Sequence, residues 1–85
     1  MLSIKVLGPG CANCQNLEAL VRRAASKMAI EARVEKVTRF PEMVKYRLLA
    51  TPGLVINENL MCSGRVPSEA EVTTWLARAA VSEAS

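Results

Sequence analysis

The amino-acid sequence predicts one small α/β domain, in which a four-stranded mixed sheet carries helices on both faces. Its 85 residues, 51% of them apolar, suffice for a single sheet covered by helices. Short strand-like runs and stretches with helical periodicity follow one another in the order β-α-β-α-β-β-α. No repeat, linker or low-complexity tract interrupts this order, so residues 1–85 are expected to form a single domain.

The first strand and helix occupy the opening third of the chain. Residues 3–7 form a short run rich in β-branched side chains, which Gly8-Pro9-Gly10 ends. A helix is predicted from Cys11 to about Met28, with charged residues on its outer side. The apolar residues that recur on its inner side are Leu17, Leu20, Val21, Ala24 and Met28.

The second strand and helix follow. Residues 31–37 are charged enough to suit the edge of a sheet. Pro41 suits the first turn of a second helix, which is predicted to continue to Leu48. The Thr51-Pro52-Gly53 segment ends that helix.

A hairpin and a closing helix complete the domain. Residues 54–56 and 60–63 flank Asn57-Glu58-Asn59, whose side chains tolerate turn conformations, so an antiparallel hairpin is predicted. Ser68 and Glu71 have the spacing of a capping box and begin the last helix. Its apolar stripe consists of Val72, Trp75, Leu76 and Ala79. Residues 82–85 are polar and are expected to fray.

Cys11 and Cys14 lie one helical turn apart where the first helix is predicted to begin. Unpaired backbone N–H groups and the positive end of the helix dipole stabilise a thiolate at the first cysteine. A cysteine with a pKa of ~8.5 is only about 3% thiolate at pH 7, and a pKa of ~7 makes it roughly half thiolate. The pattern predicts dithiol–disulfide exchange, with Cys11 as nucleophile and Cys14 as resolving thiol. Ala12 and Asn13 are expected to tune the difference between the two.

Two other interpretations of this cysteine pair stay open. Two thiolates suffice for linear coordination of Cu(I), so a carrier of a soft metal (Cu(I), mercury or arsenic) is the alternative function. A purely structural disulfide is the third interpretation, although closing a four-residue loop contributes only roughly 2 kcal/mol. Zinc is disfavoured because three cysteines and no histidine cannot supply four ligands. We therefore expect no bound metal and no cofactor beyond the Cys11–Cys14 disulfide.

Charge and hydropathy limit the expected partners and location. The net charge is +3, with both signs interleaved along the chain, so no nucleic-acid-binding stripe is predicted. No apolar run is long enough to cross a membrane, and the first residues lack the pattern of a signal peptide. We expect a monomer in the reducing cytoplasm, where a C-x-x-C pair is more often catalytic or metal-binding than structural.

Three stretches carry a resemblance to the small microbial thioredoxin-like proteins known as redox-active disulfide proteins. They are Gly-Cys-Ala-Asn-Cys-Gln at 10–15, Pro52-Gly53-Leu54 and Gly64-Arg65-Val66. The resemblance implies a minimal thioredoxin fold, a cis peptide bond before Pro52 that faces the disulfide, and a peptide-binding groove. Thr51 would present its backbone to an extended substrate, and Gly64 would line the far side of that groove. Protein disulfides and an external disulfide reductase are the implied partners.

The chain departs from ordinary thioredoxins near the cysteines. Gly10 stands where those proteins have Trp, and Ala12-Asn13 stand in place of Gly-Pro. Lys5 falls near the position of the buried acid that assists the resolving cysteine, and an amine cannot serve as that carboxylate. Proton transfer from Cys14 is therefore expected to use water or another group.

Cys62 and Arg65 are further candidates. Cys62 is predicted to share a strand face with Leu60, while Met61 and Ser63 face the other way. One interpretation of Cys62 is a small buried hydrophobic residue. The other is an auxiliary thiol near the active site, because Cys62 precedes Gly64 by two residues. Arg65 either meets acidic partners beside the groove or is ordinary surface.

Overall fold

Seven elements in the predicted order β-α-β-α-β-β-α build the domain. The structure is a computed structural model that describes residues 2–10, 12–46 and 50–84. The elements are β1 (Leu2–Leu7), α1 (Ala12–Lys27), β2 (Ala32–Val37), α2 (Phe40–Lys45), β3 (Gly53–Ile56), β4 (Asn59–Ser63) and α3 (Glu69–Ala84). Within the described ranges, no helix has the length and apolar character needed to span a membrane.

The four strands form one mixed sheet in the order β2-β1-β3-β4. β1 pairs with β2 in parallel, whereas β3 pairs antiparallel with both β1 and β4. The charged strand β2 lies at an edge, as its composition predicted. The mixed four-stranded sheet is thus confirmed.

Helices cover both faces of this sheet, which confirms the predicted architecture. Alternate residues of β1 point to opposite faces, so the strand contributes to two separate apolar clusters. The cluster under α1 and α3 contains Leu2, Ile4, Val6, Leu17, Leu20, Val21, Ala24, Ala25, Leu54, Ile56, Val72 and Leu76. The smaller cluster under α2 contains Leu7, Val37, Met43 and Val55.

The hairpin between β3 and β4 turns through two residues. Asn57 and Glu58 have positive φ values of 48° and 70°, which is the conformation of a tight turn between antiparallel strands. Asn59 belongs to β4, so the strand begins one residue earlier than predicted.

A β-bulge in β4 overturns the predicted orientation of Cys62. Leu54 pairs with Cys62 and Val55 with Leu60, so Met61 is the extra residue on its strand. Leu60 consequently packs under α2, whereas Met61 and Cys62 both pack against the cluster under α1 and α3. The expected alternation is wrong because the inserted residue shifts the register between Leu60 and Cys62.

Two helix ends also differ from the sequence prediction. α2 ends at Lys45, with Tyr46 donating its N–H to the Met43 carbonyl at 3.1 Å. Residues 47–49, where the helix was predicted to continue, lie outside the described residues. α3 continues to Ala84, so fraying from residue 82 is wrong for the described part. No glycine or proline interrupts its final turns.

Candidate active site

The described residues of the C-x-x-C motif lie in the first turn of α1, where some are exposed and one is buried. Cys11 lies outside the described residues, and the helix begins at Ala12. Ala12 and Asn13 are exposed in the first turn, whereas Cys14 is only 5% exposed. Gly10, with a φ of 94°, allows the chain to turn from β1 into the helix. The second cysteine of the motif is therefore a buried group one turn into α1.

Gly8 lies directly against the thiol of Cys14. A Cβ atom built on Gly8 would overlap the Cys14 Sγ, and it would lie 3.8 Å from the Thr51 Cβ. From the sequence, Gly8 was predicted only to end the first strand. Of the two glycines in Gly8-Pro9-Gly10, only Gly10 has a positive φ, so Gly8 is needed for its small size.

The segment at residues 51–52 forms the other side of the site. The Thr51–Pro52 peptide bond is cis. Thr51 is exposed and Pro52 is buried. Gly64 donates its backbone N–H to the Pro52 carbonyl at 2.8 Å. A Cβ on Gly64 would lie only 3.1 Å from the Ala50 Cβ.

These contacts bring four of the predicted site residues to one end of the sheet. Cys14 and Thr51 both lie close to Gly8, and the Pro52 carbonyl accepts a hydrogen bond from the Gly64 N–H. The arrangement places a buried thiol next to an exposed backbone segment. Chemically, such a site can hold an extended chain beside a reactive sulfur.

Cys62 is half-buried in β4 and lies two residues before Gly64. Its Sγ is 4.0 Å from the Arg65 carbonyl oxygen, at the limit for a thiol hydrogen bond. Burial raises the pKa of the Cys62 thiol. Its surroundings are those of a packed thiol, and an auxiliary role stays a prediction.

The Arg65 side chain forms an ion pair with Glu71 of the same chain. Its guanidinium donates to both oxygens of Glu71, at 3.1 and 2.7 Å. Arg65, assisted by the Ser68 backbone N–H, lowers the pKa of Glu71 to about 2. The structure therefore favours a local role at the start of α3 over the recognition of acidic partners.

The Lys5 side chain is held by hydrogen bonds on the α2 side of the sheet. Its Nζ donates to the Tyr46 hydroxyl at 2.7 Å and to Glu58 Oε1 at 3.1 Å, and the Tyr46 hydroxyl donates to Glu58 Oε2 at 2.8 Å. These hydrogen bonds raise the pKa of Lys5, and the bond with Tyr46 has the largest effect. This three-residue cluster was not predicted, because its members are distant from one another in the sequence.

Glu18 is an acidic residue near the cysteine motif, and it is one of the charged residues predicted for the outer side of the first helix. It lines a cavity together with Cys14, Gly8 and Lys36. Its side chain is 15% exposed. The i, i+4 spacing from Cys14 in the sequence was the available signal.

Comparisons with known proteins agree with this geometry. A thioredoxin-domain family model matches residues 2–77. A thioredoxin of Methanothermobacter thermautotrophicus is 39% identical over 72 residues, which cover 85% of this chain and 94% of that protein. A thioredoxin of Methanocaldococcus jannaschii is 29% identical over 72 residues, covering 85% of this chain and 83% of that protein.

A solved structure shows the same fold. The germline-specific thioredoxin Deadhead of Drosophila melanogaster superposes with a TM-score of 0.64 at 23% identity, covering 91% of this chain and 79% of that one. Together with the family match over most of the sequence, this confirms the resemblance inferred from the sequence motifs. The chain belongs to the thioredoxin family, whose members are thiol–disulfide oxidoreductases.

Proposed function

We propose that this chain reduces protein disulfides by dithiol–disulfide exchange, with Cys11 as nucleophile and Cys14 as resolving thiol. The observation that carries the proposal is the placement of Cys14. It is buried one turn into α1, against Gly8 and across from Thr51. A thiol there is shielded from solvent, and in the sequence it follows by three residues Cys11, which directly precedes the first residue of α1.

The reaction consists of two sulfur displacements. The Cys11 thiolate attacks one sulfur of a substrate disulfide, a mixed disulfide forms, and the other substrate sulfur leaves as a thiolate. Cys14 then loses its proton and attacks the Cys11 sulfur. The Cys11–Cys14 disulfide forms and the second substrate thiolate leaves. An external disulfide reductase returns two electrons and two protons to the pair.

The substrate is proposed to bind as an extended segment beside the cysteines. Thr51 is exposed and precedes the buried Pro52. Gly64, which is hydrogen-bonded to Pro52, is also exposed, and it is proposed to line the opposite side of the groove. In backbone pairing of this kind, main-chain hydrogen bonds supply the affinity.

The proposal needs a reducing compartment, and we place the protein in the cytoplasm as a monomer. The reaction requires no metal or organic cofactor, because the electrons reside in the cysteine pair itself. A soft-metal carrier is a weaker candidate. Small copper and mercury chaperones have the element order βαββαβ, with a strand after the second helix, whereas the last described element here is the helix α3, which follows the β3–β4 hairpin.

Turnover of a protein disulfide tests this function. Insulin reduction, with dithiothreitol as electron donor, is expected to be abolished by Cys11→Ser. Cys14→Ser is expected to accumulate the mixed disulfide, which mass spectrometry detects. Cys62→Ser is the matched control and is expected to retain wild-type turnover. Turnover that survives in Cys11→Ser contradicts the proposal.

A further inference from the structure

A cavity beside Cys14 contains one acidic side chain. Its lining includes Cys14 and Glu18 of α1, Lys36 of β2, and Gly8. Cys14 and Glu18 are four residues apart in one helix, a spacing that places them on the same face. The Glu18 side chain is 15% exposed. A carboxylate and a buried thiol therefore share one partly enclosed space.

Two cations hold the Glu18 carboxylate in place. Arg22 donates from Nε and Nη2 to Glu18 Oε2 at 3.2 and 3.0 Å. Lys36 Nζ lies 3.5 Å from Glu18 Oε1. The Arg22 hydrogen bond, together with Lys36, lowers the pKa of Glu18. The carboxylate is therefore ionised at neutral pH, which is the form that can accept a proton, and the two cations lower its proton affinity.

The resolving step of the proposed reaction needs such an acceptor. Cys14 must lose its proton to become a nucleophile, and burial disfavours the thiolate. Lys5, near the position where thioredoxins place an acid, is an amine and is bound to Tyr46 and Glu58. Glu18 is the carboxylate that lines the Cys14 cavity.

We propose that Glu18 accepts the proton of Cys14 when Cys14 resolves the mixed disulfide. The inference rests on the proposed function. The proton of the Cys14 S–H group passes through the cavity to the Glu18 carboxylate, and the Cys14 sulfur bonds to the Cys11 sulfur. The bond between Cys11 and the substrate sulfur breaks, the substrate leaves as a thiolate, and Glu18 releases the proton to solvent. The substrate disulfide is the only oxidant.

The charges around Glu18 determine how strong a base it is. Among the described residues, Arg22 of α1 and Lys36 of β2 face its carboxylate, and Gly8 and Thr51, which lie near Cys14, do not titrate. Cys11 lies outside those residues. Because Arg22 lowers the proton affinity of Glu18, removing Arg22 is expected to make Glu18 a better acceptor.

The two chemical steps can be followed separately with 5,5′-dithiobis(2-nitrobenzoate). In a Cys62→Ser background, attack by Cys11 releases the first coloured thiolate at a rate proportional to reagent concentration. Resolution by Cys14 releases the second at a concentration-independent rate. Glu18→Gln is expected to leave the first phase unchanged and to slow the second about tenfold or more at about pH 6. The defect is expected to disappear at alkaline pH, where hydroxide removes the proton.

The opposite result separates proton transfer from a simple charge effect. If Glu18 acts only as a nearby negative charge, its removal makes Cys14 more acidic and speeds the second phase. An unchanged or faster second phase in Glu18→Gln therefore overturns the proposal. Loss of the first phase in the Cys62→Ser protein itself contradicts the proposed function instead.

Two further variants complete the test. Glu69→Gln removes an exposed acid that pairs with Lys27 at 2.9 Å, and it is expected to leave both phases unchanged. Arg22→Gln is expected to accelerate the second phase at about pH 6, because the proton affinity of Glu18 rises. Should Glu18→Gln fail to fold by circular dichroism, Arg22→Gln carries the test, and a second phase that is not accelerated overturns the proposal.

Discussion

At the scale of single residues, the site depends on the absence of a side chain at Gly8. This glycine is buried next to the Cys14 Sγ and close to Thr51. Any larger residue has to displace a sulfur that lies in the core under α1. Gly8 thus connects the packing of the domain to the position of the resolving thiol.

Gly8→Ala is expected to destabilise the protein by about 1–3 kcal/mol, because the new methyl group overlaps the Cys14 Sγ. Urea denaturation measures the loss. The same substitution in a Cys14→Ala background removes the sulfur and leaves a Cβ at 3.4 Å, close to ordinary contact. There the cost of Gly8→Ala is expected to fall below about 1 kcal/mol. An equal cost in both backgrounds would show that the sulfur is not the obstacle.

At the scale of elements, side chains near the helix start fix the segment that leads from Gly64 into α3. Ser68 and Glu71 form a reciprocal capping box, with N···O distances of 3.1 and 3.2 Å. Arg65 clamps the same Glu71 carboxylate from the loop. The start of α3 is therefore joined to the loop that follows β4.

The charge of Glu71 predicts how this junction responds to acid. Its folded-state pKa of about 2 lies below the ordinary value of about 4.3, so the folded state binds its proton less readily than the unfolded state. The resulting stability is present above about pH 4.3 and is lost as the pH falls toward 2. Glu71→Gln keeps a residue suited to the capping box. Its free energy of unfolding, measured by urea denaturation, is expected to fall less between about pH 5 and 2 than that of the unsubstituted protein.

Arg65→Gln is the partner variant for this prediction. It removes the main cause of the lowered pKa of Glu71, so the acid loss attributable to Glu71 is expected to become smaller. Adding Glu71→Gln to Arg65→Gln should then change little in how the free energy of unfolding depends on pH. If Glu71→Gln has the acid profile of the unsubstituted protein, the carboxylate does not stabilise the folded state in this way.

At the scale of the whole molecule, features that depend on nearby residues could be predicted from the sequence. Features that depend on pairing between distant segments could not. Element order follows from periodicity, and the capping box of α3 follows from residue spacing, so both were predictable. The bulge at Met61 depends on how β3 and β4 pair, which no local pattern of β4 reveals. The contact between Gly8 and Cys14 likewise requires the fold, although the motif identified Cys14 as a site residue.

The cluster of Lys5, Tyr46 and Glu58 joins parts that are remote in sequence. Its members belong to β1, the residue after α2, and the hairpin turn. Because the Tyr46 hydroxyl accepts from Lys5 and donates to Glu58, it completes hydrogen bonds between all three parts. The cluster therefore fixes the short helix α2 to the sheet and the hairpin.

Tyr46→Phe removes that hydroxyl and keeps the ring. It is expected to lower the free energy of unfolding by about 1 kcal/mol, the usual net value of a hydrogen bond, with more lost if Lys5 is left poorly paired. Lys5→Met removes the donor and supplies an apolar side chain of similar length. In that background, Tyr46→Phe is expected to cost less than in the wild type, because one of the two bonds is already absent. Urea denaturation of the four proteins gives the coupling energy, and strict additivity would mean that the cluster does not act as a unit.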